Sequence, residues 1–166
     1  MKTLYILRHA KSSWNDDLLA DFDRPLNQRG LNTAPFIGEV MAREKILPDI
    51  FISSPAKRTT QTSLLVKEAS GSNAAIQYDE RIYEASVQAL KLVISQIAEQ
   101  HETALIIGHN PGMEGLIQFL TGSSESMPTA ALASVVLDIK AWDKIAEKCG
   151  TLQSVIRPND EMKTSL

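Results

Sequence analysis

Residues 4–15 read LYILRHAKSSWN and decide how the rest of the chain is interpreted. The stretch begins with four consecutive apolar residues, which is typical of a central strand covered on both faces of a sheet. It then reaches Arg8 and His9 and continues in small polar residues. A buried strand that ends on a cation and an imidazole predicts that its carboxyl end reaches a site that uses both groups.

Apolar runs of similar length recur along the chain and alternate with segments that have helical spacing. Further strands are predicted over residues 49–52, 74–78, 103–108 and 133–139, with an edge strand over 152–158. Helices are predicted over residues 28–45, 55–69, 86–100 and 111–120. Strands that alternate with helices predict an α/β fold, in which three α/β/α layers surround a mostly parallel sheet of about five to six strands.

The composition is that of one globular domain, predicted over residues 1–158, with a flexible polar tail over 159–166. The net charge of −3 offers no basic surface for nucleic acid, so a bound anion must be held by locally placed cations. Cys149 is the single cysteine, which excludes an internal disulfide and favours a reducing compartment, the cytoplasm. No apolar run approaches the ~18 residues of a membrane span, and the first residues do not resemble a signal peptide, so we expect neither membrane insertion nor secretion.

Two other predicted strands are also followed by an arginine or a histidine. The second is followed by SSPAKRTTQ, where Ser54 as N-cap and Pro55 at the first helical position place Arg58 in the first turn of a helix. The fourth is followed by HNPG, where His109 ends the strand and Asn110 is expected to cap the next helix. Ligand sites in open α/β sheets lie beyond the carboxyl ends of the strands, so these groups are predicted to converge with those of the first strand.

The four residues Arg8, His9, Arg58 and His109 suit the binding and transfer of a phosphoryl group. Arginine offers fork-shaped, permanently charged donors that match phosphoryl oxygens, and the two imidazoles supply a nucleophile and a further donor. Each histidine taken singly is more often structural than catalytic, and it is their arrival at one sheet edge that favours a shared site. No carboxylate cluster and no second cysteine indicates a metal site, so the pattern predicts phosphoryl transfer without metal or cofactor.

The segment LRHAKSSWN resembles the RHG signature of the histidine phosphatase superfamily, the phosphoglycerate mutase-like enzymes. DFDRPLNQRG, SSPAKRTTQTS and IIGHNPG resemble that family's later motifs, in the same order. Within the superfamily, the short chain is most similar to phosphohistidine phosphatases of the SixA type, which lack a large inserted cap. Ala10 stands where the signature has glycine, which would strain the backbone if that position required a positive φ.

The resemblance implies that His9 attacks phosphorus and that Arg8, Arg58 and His109 hold the phosphoryl oxygens. It also implies a phosphate contact from Asn15, although an asparagine in a loop is commonly a turn former.

A general acid that protonates the leaving oxygen is also implied, from the segment after the third predicted strand. Glu84 is the best match for this acid, and Glu80 is the alternative one register away.

The leading hypothesis is therefore a metal-independent phosphatase that acts on phosphohistidine in a protein, such as a histidine-phosphotransfer domain. A small-molecule phosphomonoesterase of the same superfamily is the alternative. A module that recognises phosphate without turnover is a second alternative. No nucleic-acid or membrane partner is expected.

Overall fold

The computed structural model describes residues 1–159 and 162, and six strands form one sheet within it. The strands are β1 (Lys2–Arg8), β2 (Ile50–Ser53), β3 (Ala75–Tyr78), β4 (Thr103–Gly108), β5 (Leu132–Leu137) and β6 (Gly150–Ile156). Each lies within two residues of its predicted position at either end. The apolar runs that marked β2, β4 and β5 are largely buried, whereas the edge strands β3 and β6 are mostly exposed or half-buried.

The strands are ordered β3-β2-β4-β1-β5-β6. β4 pairs in parallel with both β1 and β2, and β2 pairs in parallel with β3. β5 is antiparallel to β1 and to β6, so five strands share one direction and β5 runs against them. The predicted α/β fold with a mostly parallel sheet is confirmed.

Four helices cover the two faces of the sheet: α1 (Gln28–Arg43), α2 (Lys57–Ser70), α3 (Val87–Ser95) and α4 (Gly112–Thr121). Apolar residues of α1 and α2 form one core with the sheet, and those of α3 and α4 form a second core on the opposite face. The largest buried side chain, Trp142, belongs to the second core. No helix within the described residues is long and apolar enough to cross a membrane.

α3 ends five residues before its predicted end. Its predicted N-cap is confirmed, since the Ser86 side chain accepts a hydrogen bond from the Ala89 N–H at 3.1 Å. The helix stops at Ser95 because the following segment turns back towards β1, where the carbonyls of Glu99 and His101 accept hydrogen bonds from the buried Lys2 ammonium at 3.1 and 3.0 Å. A tertiary contact therefore overrides a helical pattern.

The starts of α2 and α4 also differ from the prediction. Ala56, and not Ser54, is the N-cap of α2, because the Ser54 hydroxyl accepts from the Ala56 N–H at 3.3 Å in a turn before the helix. Pro111, and not Asn110, is the cap residue of α4. Arg58 nevertheless lies in the first turn of α2, as expected. The tail predicted over 159–166 lies outside the described residues apart from Asn159 and Met162, so it stays a prediction.

Glycine allows two close approaches that fix α1 in place. A Cβ on Gly30 would lie 2.2 Å from the carbonyl oxygen of Lys11, so this glycine lets the loop after β1 run against the start of α1. A Cβ on Gly38 would lie 2.6 Å from the Ala69 Cβ and 2.7 Å from the Val66 carbonyl oxygen, which brings α1 directly against α2. The Gly30 contact holds the loop that follows Arg8 and His9.

Replacement of Gly38 by alanine separates packing from helix propensity. Alanine favours a helix by about 1 kcal/mol over glycine, yet the added methyl must displace α2, and overpacking of this kind costs about 1–3 kcal/mol. We expect Gly38→Ala to lower the free energy of unfolding, measured by urea titration with circular dichroism. Glu39→Ala on the exposed face of α1 is the control and should change it by less than about 0.5 kcal/mol. A Gly38→Ala variant as stable as the parent would contradict the packing argument.

Candidate active site

The carboxyl ends of β1, β2 and β4 deliver their side chains to one edge of the sheet. Arg8 pairs with Gly108 across β1 and β4, and Ser53 pairs with Ile107 across β2 and β4. The pairing continues one residue further on each side of β4. The His9 N–H donates to the Gly108 carbonyl at 3.0 Å, and the Ser54 N–H donates to the Ile107 carbonyl at 3.0 Å. The residues that follow the three strands are thereby held as neighbours.

The two histidines predicted at this edge lie together. The ring centroids of His9 and His109 are 5.2 Å apart and the rings are tilted by 53°. Both residues are buried, with 6% and 8% of their surface exposed. The predicted convergence of these two strand ends is what the structure shows.

His9 is held with one ring nitrogen bonded and the other free. Its Nδ1 lies 2.7 Å from the carbonyl oxygen of Ala10, so Nδ1–H donates to that carbonyl, and Nε2 makes no hydrogen bond to any described residue. The Ala10 N–H donates to the Thr62 hydroxyl at 3.0 Å, and this hydroxyl donates to the Arg58 carbonyl at 2.7 Å. The turn after β1 and the first turn of α2 are thus tied together through Thr62.

Ala10 is accommodated without strain at the position where the signature has glycine. It is absent from the described non-glycine residues with positive φ, and its side chain is fully buried. The substitution therefore adds a methyl group to the core beneath His9.

Burial lowers the pKa of His9 from its ordinary value of 6.5 to about 3, and the neighbouring His109, Arg58 and Arg8 act in the same direction. The bond to the Ala10 carbonyl opposes this shift. At neutral pH the ring is therefore uncharged, and the lone pair on Nε2 is available.

Arg58 is held by a carboxylate on the loop between β1 and α1. Its guanidinium donates to the Asp21 carbonyl oxygen at 2.7 Å and to Asp21 Oδ2 at 3.0 Å. Arg24 donates to Asp21 Oδ1 at 2.8 Å, and the Tyr83 hydroxyl donates to Oδ2 at 2.6 Å. These donors, led by Tyr83, lower the pKa of Asp21 to about 2. Burial and the Asp21 carboxylate raise the pKa of Tyr83 to about 12.

His109 forms its hydrogen bond through Nε2, whereas His9 uses Nδ1. Its Nε2 lies 2.8 Å from the Ser54 hydroxyl, and its Nδ1 is buried without a hydrogen-bond partner. Burial lowers the pKa of His109 to about 4, and Arg58 and Arg8 contribute in the same direction while Asp21 opposes them. Arg8 donates to the Met127 carbonyl at 3.1 Å, and its Nε, like His109 Nδ1, is buried without a partner.

Two neighbouring cavities open onto these groups. One, of about 290 Å³, is lined by Arg8, His9, Lys11, Ser12, Trp14, Arg24, Arg58, His109, Asn110 and Thr129. The other, of about 500 Å³, shares Arg58, His109 and Asn110 with the first and is lined as well by Asp21, Tyr83, Glu84, Ala85, Pro111 and Gly112. We call the first the phosphoryl cavity, because its size and cationic lining suit a phosphoryl group. The second offers room for the rest of a phosphorylated molecule.

The model of the histidine phosphatase superfamily, branch 1, matches residues 4–114. The chain belongs to the histidine phosphatase superfamily. An uncharacterized protein of Mycobacterium tuberculosis is 30% identical over 88% of this chain and 96% of that protein. The structure of a candidate phosphohistidine phosphatase SixA from Agrobacterium tumefaciens has a TM-score of 0.80 and 28% identity, over 95% of this chain and 98% of that one. A SixA protein histidine phosphatase in complex with tungstate has a TM-score of 0.83 and 20% identity, over 96% and 99% of the two chains.

The structure of this histidine phosphatase brings four of the predicted site residues, Arg8, His9, Arg58 and His109, around one cavity. Glu84 lines the adjoining cavity, whereas Glu80 lines neither. Glu84 also has a φ of 53°, in the left-handed region that non-glycine residues rarely adopt. Strained positions of this kind concentrate at functional sites, so the geometry favours Glu84 over Glu80.

The structure does not bring Asn15 to either cavity. Asn15 is exposed, and its N–H donates to the Ser13 hydroxyl at 3.1 Å within a local turn. Trp14 and Ser12 of the same loop line the cavity instead. The predicted phosphate contact from Asn15 has no support in this geometry, because the loop turns before the side chain reaches the histidines.

Asp21, Arg24 and Tyr83 belong to the site and were missed by the sequence reasoning. Asp21 and Arg24 lie in DFDRPLNQRG, which matched a family motif without a role being assigned to its charges. Tyr83 comes next to Glu84, and its ring packs edge-on against His109 with centroids 5.4 Å apart. Within the described residues there is no group of three or more histidine, cysteine, aspartate or glutamate side chains placed to hold a metal ion.

Stability should depend on pH through the two buried histidines. Each is neutral in the folded state well below the ordinary pKa of 6.5, whereas the unfolded chain binds protons there, so stability falls as pH decreases below 6.5. At pH 5 each histidine should lower the free energy of unfolding by about 2 kcal/mol relative to pH 8. Urea titrations of the parent and of His9→Asn/His109→Asn at both pH values measure this. Equal pH dependence in the two proteins would contradict the assignment.

Proposed function

We propose that this histidine phosphatase removes phosphate from phosphohistidine carried by a protein, through a covalent phosphohistidine on His9 and without a metal ion. The observation that carries the proposal is the geometry of His9, whose Nδ1 lies 2.7 Å from the Ala10 carbonyl oxygen while Nε2 stays unbonded beside cationic side chains. The lowered pKa of the ring agrees with this geometry. A nucleophilic lone pair fixed next to oxyanion donors is what phosphoryl transfer requires.

In the first step, His9 Nε2 attacks phosphorus, a bond forms between this nitrogen and phosphorus, and the bond from phosphorus to the leaving imidazole breaks. Arg8, Arg58 and His109 hold the oxygens as charge redistributes, and such positioning supplies most of the catalysis in phosphoryl transfer. In the second step, water attacks the phosphorus on His9, which releases inorganic phosphate and restores the free Nε2 lone pair.

Asp21 has a specific part in this scheme because it occupies Arg58 in the free structure. The guanidinium is paired with Asp21 at 3.0 Å, so an incoming phosphoryl group competes with one carboxylate oxygen for the same donor. Arg24 and Tyr83 also bind Asp21, which lets the carboxylate keep partners when Arg58 turns to the substrate. The network keeps Arg58 in place without leaving an unpaired charge at a buried site.

The rim of the site supports a protein substrate. The loop between β1 and α1 carries four exposed large apolar side chains, of which Trp14 is 70% and Leu18 is 95% exposed; the others are Leu19 and Phe22. Trp14 lines the cavity that holds His9, and the Phe22 ring packs against Tyr83, which lines the adjoining cavity. Clustered apolar side chains at the mouth of a site suit a partner surface better than a small, fully polar substrate.

A small-molecule phosphomonoesterase is the second candidate function, favoured by the position of Glu84. A carboxyl group beside the phosphoryl cavity can protonate an alkoxide leaving group, which an ester substrate needs. An imidazole leaving group needs such an acid less, because its second ring nitrogen can take up a proton from solvent before the bond to phosphorus breaks, so that neutral imidazole leaves. The two candidates therefore differ in how much they depend on Glu84.

Replacement of His9 by alanine tests the covalent mechanism. We expect parent protein to release phosphate from a phosphorylated histidine-phosphotransfer protein in excess chelator, and His9→Ala to lose roughly a thousandfold or more of that activity. With a ³²P-labelled substrate, the parent alone should carry transient label that is stable in alkali and lost in acid.

His101→Ala is the matched control, since His101 precedes β4 at the opposite edge of the sheet, and it should retain activity. Unchanged turnover in His9→Ala would refute the mechanism, and loss of parent activity in chelator would refute the metal-free claim. A folded parent protein that bound the phosphoprotein and released no phosphate would instead be a recognition module.

Replacement of Glu84 by glutamine separates the two candidate substrates. On phosphoserine, whose leaving group is an alkoxide, we expect kcat to fall roughly 10- to 100-fold, whereas turnover of the phosphohistidine protein should stay within about threefold. Glu80→Gln is the control and should leave both activities unchanged, because Glu80 lines neither cavity. Efficient turnover of phosphoserine with a strong Glu84 dependence, and none of the phosphohistidine protein, would establish the phosphomonoesterase instead.

A further inference from the structure

The hydroxyl of Ser54 lies against the imidazole of His109 in the interior of the protein. The Ser54 Oγ and His109 Nε2 atoms are 2.8 Å apart, and Ser54 has no exposed surface. The contact joins the end of β2 to the end of β4 directly behind the phosphoryl cavity. Two neutral arrangements are chemically open to it: either the hydroxyl donates to Nε2, or Nε2–H donates to the hydroxyl.

The backbone around Ser54 fixes where its hydroxyl points. The Ser54 N–H donates to the Ile107 carbonyl at 3.0 Å, and the Ser54 carbonyl accepts from the hydroxyls of Thr59 and Ser53 at 2.8 and 2.9 Å. Every backbone group of this residue that can form a hydrogen bond has a partner. The side chain is therefore presented to His109 by a rigid segment.

Counting donors and acceptors distinguishes the two arrangements. The Ser54 oxygen already accepts one hydrogen bond, from the Ala56 N–H at 3.3 Å, so the hydroxyl proton is the group that needs a partner. Among the described residues, His109 Nε2 is the acceptor within reach. If Nε2 carried a proton instead, the Ser54 proton would be left without an acceptor in a fully buried position, which is costly.

We propose that Ser54 is a positioning residue that holds His109 as the neutral tautomer with its proton on Nδ1, so that Nδ1–H donates to a phosphoryl oxygen. The second half of this proposal rests on the function proposed above. It accounts for a feature that otherwise lacks explanation: Nδ1 is buried without a partner, in a residue that lines the phosphoryl cavity. A donor without an acceptor in the free protein is what a site for an oxyanion provides.

The two histidines would then have opposite functions that their partners impose. A carbonyl accepts the Nδ1–H of His9 and leaves the lone pair of Nε2 to attack phosphorus. A hydroxyl donates to Nε2 of His109 and leaves Nδ1–H to bind the phosphoryl group. A chain of hydrogen bonds from the Ala56 N–H through Ser54 and His109 would polarise this last donor.

His109 is surrounded by charges that keep it neutral near pH 7. Burial disfavours an imidazolium most, and Arg58 and Arg8 also disfavour it; together they outweigh Asp21, which favours it, so that the pKa of His109 lies at about 4. Neutrality matters because an imidazolium would donate from both nitrogens, and Ser54 would then act only as an acceptor.

Two-bond ¹H–¹⁵N correlation spectra of the labelled protein at pH 7 test the proposal without any substrate. We expect His109 to show the neutral pattern with the proton on Nδ1, and inorganic phosphate to shift that proton. Ser54→Ala should convert the pattern to a mixture of tautomers, and kcat should fall about tenfold, the effect of one lost hydrogen bond, with a smaller change in KM. Ser54→Thr, which keeps the hydroxyl, should restore the parent spectrum.

Ser70→Ala is the matched control, because this buried serine donates to the Lys67 carbonyl at 3.1 Å near the end of α2 and contacts neither Ser54 nor His109. Its spectrum should equal that of the parent. A parent His109 that is protonated on Nε2 at pH 7 would overturn the proposal even if Ser54→Ala did not fold. A parent spectrum as expected in a protein without phosphatase activity would leave the tautomer assignment standing and refute only the proposed function.

Discussion

The parallel pairing of β4 with both β1 and β2 is the constraint on which the rest of the structure depends. Parallel neighbours end at the same edge of a sheet, so the residues after these three strands meet although 100 positions separate His9 from His109. The register places them within one residue of each other along the strand direction. Both faces of the sheet must be covered for this pairing to be stable, which is what the helices on each side provide.

Burial at that edge explains the electrostatic character of the site. Imidazoles placed beside arginines in a low dielectric lose their protons, so the site has permanent cations and neutral rings rather than four positive charges. Asp21 partly compensates the charge that remains and holds Arg58 at the same time. The lone pair on His9 Nε2 is thus available at neutral pH, and burial of the neutral rings lowers stability in acid.

The sequence was sufficient to predict the sheet, the presence of the four helices and the meeting of Arg8, His9, Arg58 and His109 at one sheet edge, because apolar runs and strand ends leave local signals. It was insufficient for contacts between segments that are distant in sequence. Asp21 meets Tyr83 across 62 positions, and no periodicity marks either residue as the other's partner. Ser54 was assigned to a helix cap by its neighbours in sequence, yet its hydroxyl lies against His109, which local reasoning could not show.

The loop between β1 and α1 and the residues at the sheet edge are held in place by different contacts. Groups at the sheet edge are held by backbone pairing and buried hydroxyls, so their geometry is set before substrate arrives. The loop is held by backbone bonds between its two ends, such as that from the Ser13 N–H to the Pro25 carbonyl at 2.8 Å, and by side chains as well. Arg24 donates to the Ser13 carbonyl at 3.0 Å, and its guanidinium carbon lies 3.2 Å from the centre of the Trp14 ring. Asp21 links the two sets of contacts, because its carboxylate accepts hydrogen bonds from Arg24 of the loop and from Arg58 of α2.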